Sequence, residues 1–522
     1  MSTQQTTSFN SVELGLFSSR VAAICEEMGA LLGRVAFSPN IRDRLDYSCA
    51  LFNRRGQLLG QATHIPVHLG SMAHAMVDLV ESRAWRAGDM LILNDPYRGG
   101  THLPDITLVA PVFYSGSLVG FCANRAHHAD IGSDAPGSMP VSRALEEEGV
   151  LIPPTLLMRG GEVDEGFLQS LLQRLTSPDT SRGDFNAQVA ANLLGAGRLQ
   201  ELVAEAGQEG FDQQESNLQS WAESLVLKSL ACIPAGQYQF EDYLDDDGYG
   251  HTDIPIRVKI SVRNEGVDVD FSGTAKQVEG NLNCPMPVTA AAVFYVFRCL
   301  MPAHTPACHG ALKGVTIKAP GGSLVNARAP AAVAAGNVET SSRIVDAVCG
   351  ALAKALPDRF AAASQGTMNN LAMGRRGPQG WDYYETLAGG MGAAHDCNGR
   401  SARHSHMTNT LNTPVEVLEL NYPLRIERYA IRQSSGGKGQ FRGGDGVIRR
   451  YRFLEGAEVS LLTERRRIQP WGLEGGQAGQ CGHNILDGQE LSGKVQFQAT
   501  ADQVLSVETP GGGGYGTPAL KS

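Results

Sequence analysis

Thr101-His102-Leu103-Pro104-Asp105 holds an HxxD pair, and His127-His128-Ala129-Asp130 follows a short distance along the chain. Two imidazoles and one carboxylate form an open ligand set for Zn²⁺, Mn²⁺ or Fe²⁺, with positions left for water and substrate. A metal held in this way generates a hydroxide nucleophile near neutral pH. The plainer alternative is that these side chains satisfy strand ends and loop amides, where imidazoles and carboxylates are common. Asp95, which follows a strand of its own, is a candidate supporting acceptor.

A β-hairpin would bring the two clusters together: residues 106–114, the turn Ser115-Gly116-Ser117, then residues 118–124. A Ser115-Gly116 loop sets Asp105 opposite Ala126 and beside His127. A Gly116-Ser117 loop sets Asp105 opposite His128, so the choice between the two imidazoles stays open. Before the hairpin, Phe17, Val21, Ile24, Met28, Leu31 and Val35 recur at helical spacing, which predicts one buried stripe. Residues 47–52 and 57–60 read as strands around Arg54-Arg55-Gly56, 71–83 as a helix, and 90–93 as a strand ended by Pro96, which lacks an N–H. His64 and His68 flank Pro66, which argues against a shared helical face, so packing is preferred to ligation for both.

Helices are expected over 167–175, 186–229, 288–299 and 343–356, and strands over 238–243, 254–262 and 267–271. Glycine is abundant, 61 of 522 residues, against a usual ~7%. It is densest from Trp381 onward, where short runs such as 459–463 and 495–499 alternate with glycine turns. The expected fold is α+β: a helix- and hairpin-containing region 1–234 with the metal-type cluster, a central α/β region 235–380, and a β-rich region 381–522. His404 and His406, two apart on a strand, would share a face and bind substrate or metal, or simply face solvent.

Other chemistries lack support. The match of residues 511–516 to GxGxxG has no room for a following helix, and Ser434-Ser435-Gly436-Gly437-Lys438-Gly439 lacks the hydroxyl residue of a phosphate-binding loop. GxSxG and HExxH do not occur. The net charge of −10 argues against nucleic-acid binding. The apolar run 288–297 is too short for a bilayer, which takes about 20 residues. Met1 to Phe9 reads as no secretory signal, and ten scattered cysteines read as buried thiols, so a soluble protein of the reducing cytoplasm is expected.

Several segments together resemble the hydantoinase B family, which groups the B subunits of ATP-dependent hydantoinases and 5-oxoprolinases with one large subunit of acetone-type carboxylases. They include Ala36-Phe37-Ser38-Pro39, Asp46-Tyr47-Ser48-Cys49-Ala50, His64-Ile65-Pro66-Val67-His68-Leu69-Gly70 and Asn94-Asp95-Pro96-Tyr97. Later come Asp270-Phe271-Ser272-Gly273-Thr274, Gly336-Asn337-Val338-Glu339-Thr340, Tyr384-Glu385-Thr386, Gly389-Gly390-Met391-Gly392 and His406-Met407-Thr408-Asn409-Thr410. The resemblance implies a metal site of His102, Asp105 and His127, since the related carboxylase chain holds manganese through an HxxD pair and a later histidine. It also implies a separate A subunit that binds ATP and Mg²⁺ and phosphorylates the substrate oxygen. This chain would then open a 5-oxoproline- or hydantoin-type ring, with His128 or Asp130 carrying protons and Asp95 positioning. Ketone carboxylation and a non-catalytic scaffold for the ATPase partner are the alternatives. The chain is short for the large chain of a carboxylase, which favours the amidohydrolases.

Overall fold

The computed structural model describes residues 11–377 and 380–518, so the stretch from Met1 to Phe9 lies outside them. The fold is α+β, with helices and four separate sheets among the described residues. Helix α1 (Ser11–Val35) buries Leu14, Phe17, Val21, Ile24, Met28 and Leu32. The stripe leaves the expected line at its end, where Val35 is exposed, because a 3.6-residue period rotates the buried face onto Leu32. α1 packs on the helix Pro178–Ala206, where Gly195 leaves space for Met28; a Cβ there would lie 2.4 Å from its sulfur.

After the short helix α2 (Pro39–Arg42) come β1 (Tyr47–Asn53) and β2 (Leu58–Gln61). Helix α3 (Pro66–Glu81) starts earlier than expected. Pro66 takes the first helical position, where a missing N–H costs nothing and its fixed φ suits the helix. Strands β3 (Met90–Leu93), β4 (Asp105–Tyr114), β5 (Ser117–His127), β6 (Thr155–Arg159) and β7 (Glu162–Val163) complete a seven-stranded antiparallel sheet, ordered β2-β1-β5-β4-β3-β6-β7.

Both faces of that sheet are covered. Cys49, Leu51 and Cys122 point into the core beneath α1, while the alternate residues Ala50, Phe52 and Phe121 meet Met72, Met76 and Leu79 of α3. Each such large side chain stabilises by ~1.5–3 kcal/mol when fully buried. The double cover makes β1 and β3 wholly buried and encloses most of β4 and β5, whose open end carries Asp105 and His127.

The helical stretch expected over 186–229 is two helices, Pro178–Ala206 and Gln208–Leu230, broken at Gly207 with φ +68°. A second sheet follows: Gly236–Asp246, Thr252–Arg263 and Gly266–Asp270 pair antiparallel, with Val315–Lys318 parallel at the edge. The helix Ser341–Ala353 packs on it, entered through a π-helical turn, Gly336–Thr340.

The C-terminal part is β-rich. Asn370–Arg375, Trp381–Glu385, Ala457–Leu462 and Lys494–Ala499 form one sheet, and Leu424–Arg432, Gly446–Phe453, Val504–Glu508, His483–Leu486 and Gln489–Leu491 form another. Its glycines stack backbone on backbone. Gly437 donates to Gly512, Gly512 to Gly444 and Gly444 to Met391, and a Cβ on Gly390, Gly443 or Gly511 would lie 2.0 Å from a neighbouring carbonyl oxygen. All ten cysteines are free, but Cys232, Cys299 and Cys397 are exposed rather than buried as expected. Among the described residues no helix is long and apolar enough to cross a membrane.

Candidate metal centre

Asp105 opens β4, His127 closes β5, and the two are direct cross-strand partners. The hairpin starts with Tyr114 opposite Ser117. A β-bulge then leaves Val119 unpaired, so pairing continues from Val112 and Gly120 down to Asp105 and His127. The Ser115-Gly116 register read from the sequence opens the hairpin, and the bulge then shifts it by one residue, so that Asp105 lies opposite His127 rather than Ala126 or His128.

His102 Nε2 lies 3.0 Å from Asp105 Oδ1, and His127 Nδ1 lies 3.1 Å from the same oxygen. One ligand atom from each of the three residues falls within 4.8 Å of the others, and all three side chains are buried. The other carboxylate oxygen, Oδ2, accepts from Thr101 Oγ1 at 2.6 Å and Asn337 Nδ2 at 3.2 Å, and faces His68 Nε2 at 3.2 Å. Tyr384 stacks on His127 at 4.7 Å, with the Arg44 guanidinium 4.9 Å from the centre of the tyrosine ring. Tyr384 is itself tied by its hydroxyl to Asn370 and by its carbonyl to Arg44.

The donor set fits a divalent cation. A carbonyl can only accept, so the 3.2 Å contact to Ala334 O makes His102 Nδ1 the donor. In neutral His102 the Nε2 lone pair then faces a carboxylate oxygen, and the two repel unless a proton or a cation lies between them. Nε2 of His102 and of His127 are both buried without a hydrogen-bond partner. For Asp105, burial pushes the carboxyl up, but the charges of His102 and His68 and the hydrogen bond to His127 outweigh it and hold it well below the usual carboxylate range. Burial opposes charge on His102 as well, yet Asp105 wins and raises it, whereas burial prevails at His127 and lowers it. An ionised Asp105 and a neutral His127 are the forms that ligate metals.

The family model described as Hydantoinase B/oxoprolinase matches residues 10–518. The chain belongs to the hydantoinase B/oxoprolinase family. Within the family it is 39% identical to an uncharacterized protein of Methanocaldococcus jannaschii, over 97% of this chain and 91% of that one. It is also 39% identical to 5-oxoprolinase 1 of Arabidopsis thaliana, over 97% of this chain and only 42% of that one, so it spans about two fifths of that relative. The putative B subunit of a D-/L-hydantoinase from a Pseudomonas species is 30% identical over 95% of this chain and 88% of its own. Among solved structures, the ATP-dependent caprolactamase of Pseudomonas jessenii superimposes with a TM-score of 0.91 at 26% identity, covering 98% of this chain and 92% of that one. Nucleotide-free acetone carboxylase shares the fold, with a TM-score of 0.88 at 18% identity, covering 99% and 77%.

In this hydantoinase B/oxoprolinase chain the other residues singled out from sequence lie apart from the triad. The His128 side chain points the opposite way from His127, with Nε2 2.9 Å from Gln188 Oε1 and the ring stacked on Phe185. The two carboxylate oxygens of Asp130 accept from the amides of Gly132 and Ser177. Both residues line a cleft of about 310 Å³ that Asn40, Arg42, Asp184 and Tyr422 share. Asp95 accepts from the Tyr97 amide and shapes the loop that leads to His102. None of the three side chains hydrogen-bonds to His102, Asp105 or His127.

His64 accepts from the Cys49 amide, and burial pushes its imidazole down to about 4, a packing role as expected. His68 departs from expectation by reaching Asp105, and its Nε2 also lies 4.0 Å from Asp46. His406 has φ +57° and lies 3.4 Å from Tyr295 Oη, so it and His404 are not neighbours on a strand face. Thr101, Asn337, Ala334 and Tyr384 were not read as site residues. Asn337 and Tyr384 stand in segments that carry the family resemblance, the one signal that pointed to them.

Proposed function

We propose that this chain is the B-type component of an ATP-dependent enzyme that opens a cyclic amide of the 5-oxoproline, hydantoin or larger lactam class. A separate ATP-binding component, holding Mg²⁺, phosphorylates the amide oxygen of the substrate. The observation that carries the reading is the buried group His102, Asp105 and His127, inside a chain that matches its family from end to end of the described residues. The named activities of 5-oxoprolinase 1, the putative hydantoinase component and the caprolactamase support the substrate class. The 42% share of 5-oxoprolinase 1 supports a second component.

His102, Asp105 and His127 would hold a divalent cation, Mn²⁺, Zn²⁺ or Fe²⁺, which supplies Lewis-acid activation of water or of a carbonyl-type oxygen. Ala334 and Asn337 orient two of those three side chains. Tyr384 and Arg44 cover the His127 ring and keep bulk water away. In ring opening, one water adds to the activated carbon and the C–N bond breaks as the ring nitrogen gains a proton, which leaves an acyl phosphate; a second water then releases phosphate and leaves the carboxylate. The proton-carrying role expected of His128 or Asp130 belongs in this proposal to His68 Nε2, which sits between Asp105 and Asp46.

Co-purification with the ATP-binding partner, followed by assays with ATP on 5-oxoproline, hydantoins, caprolactam, and a ketone with bicarbonate, tests the reading. Ring opening with stoichiometric phosphate is expected, falling at least ~100-fold in His102→Ala or Asp105→Asn. Full ring opening by the double variant, or carboxylation in its place, refutes it.

A further inference from the structure

Glu148 reaches the triad through the backbone. It ends the short turn Leu145–Glu148 and is fully buried. Its Oε1 accepts from Ser142 Oγ at 2.9 Å and from the successive amides of Val333 and Ala334 at 2.8 and 2.9 Å. Its Oε2 is buried without a partner, and among the described residues no lysine or arginine pairs with it. A buried carboxylate with no cation beside it is expensive, so packing alone does not explain it. The residue it clamps, Ala334, turns its carbonyl to His102 Nδ1, and three positions on Asn337 reaches Asp105. Residues 332–337 thus form a strap, held further by Asn283 Nδ2 on the Ala332 carbonyl and by the Asn281 carbonyl on the amides of Ala335 and Gly336.

We propose that Glu148 is a positioning residue of the metal centre: by clamping the amides of Val333 and Ala334, it aims the Ala334 carbonyl at His102 and fixes the ring orientation that presents Nε2 to the ion. This rests on the reading of His102 as a ligand. Groups that orient ligating histidines are worth ~10–100-fold in metal affinity.

The test uses the full chain with Glu148→Ala, Glu148→Gln and Glu148→Asp. Two quantities are read: the Nδ1–H resonance of His102 in metal-free, histidine-labelled protein, assigned by its loss in His102→Ala, and the Mn²⁺ dissociation constant. Glu148→Ala should lose or shift the resonance and weaken Mn²⁺ by ~10–100-fold. Glu148→Gln, which keeps an acceptor oxygen for both amides, should restore both. If Glu148→Ala does not fold, Glu148→Asp, one methylene shorter, should show the same loss. An unchanged resonance and dissociation constant in the folded variant overturn the proposal, and so does a glutamine variant as impaired as the alanine one. If the resonance shifts as expected while the wild-type chain binds no Mn²⁺, the clamp stands and the metal reading falls.

Discussion

Asp105 gathers His102 and His127 on one oxygen and Thr101, Asn337 and His68 on the other, and all six residues are buried. The HxxD pair and a later histidine were legible because a hairpin fixes which residues can meet. His68 was not, since Pro66 reads as a helix breaker unless the helix begins there. A second buried acid carries a separate expectation. Burial, and then the Glu464 charge, push the Glu339 carboxyl up to about 7 from an ordinary 4.5. Between those values the folded chain keeps a proton that the unfolded chain has lost, so this group favours folding at low pH and that contribution fades as pH rises through the window. The slope is at most about 1.4 kcal/mol per pH unit. Denaturant midpoints at pH 5, 6 and 7 should therefore fall less steeply in Glu339→Gln than in wild type; parallel curves would show that Glu339 does not titrate there.

At the scale of elements, a bulge and a strap place His102, Asp105 and His127. The hairpin strands were readable from sequence, but the unpaired Val119 was not, because either regular register suits the turn residues equally well. The strap 332–337 lies 232 positions along the chain from the His102 and Asp105 it touches, and no local pattern reports such a contact. The π-helical turn that follows is a frequent mark of functional sites. Gly336 lets it approach: a Cβ there would lie 1.8 Å from the Asn283 carbonyl oxygen. Gly336→Ala should cost ~1–3 kcal/mol of stability and weaken metal binding as the strap shifts. A thermal melt beside a metal titration checks this, and wild-type values in both would mean the strap tolerates the methyl group.

Over the whole molecule, the α+β class and the β-rich C-terminal part were visible in composition and periodicity, whereas the way the parts lock together was not. Arg465 Nη2 bridges Asp242 of the second sheet and Asp346 of the helix Ser341–Ala353, both at 2.7 Å and all three buried. Arg465→Met would leave Asp242 and Asp346 only the longer contacts to Arg343, at 3.6 and 3.8 Å, and should destabilise by ~3–5 kcal/mol, read as a lower denaturant midpoint; an unchanged midpoint would show the network is not structural. The glycine excess has a similar origin, in close backbone stacking that sequence alone shows only as density. These ties hold the second sheet, the helix Ser341–Ala353 and the segment after Ala457–Leu462 together, and Tyr384 of the third sheet closes on His127 of the seven-stranded sheet, so that residues far apart in the chain meet around Asp105. Under the proposed function this enclosure is a metal site. Elemental analysis and metal titration of the purified chain test it most directly: about one Mn²⁺, Zn²⁺ or Fe²⁺ per wild-type chain is expected, lost in an Asp105→Asn variant that still melts cooperatively. A folded wild-type chain that neither carries nor takes up any of the three ions would contradict the account.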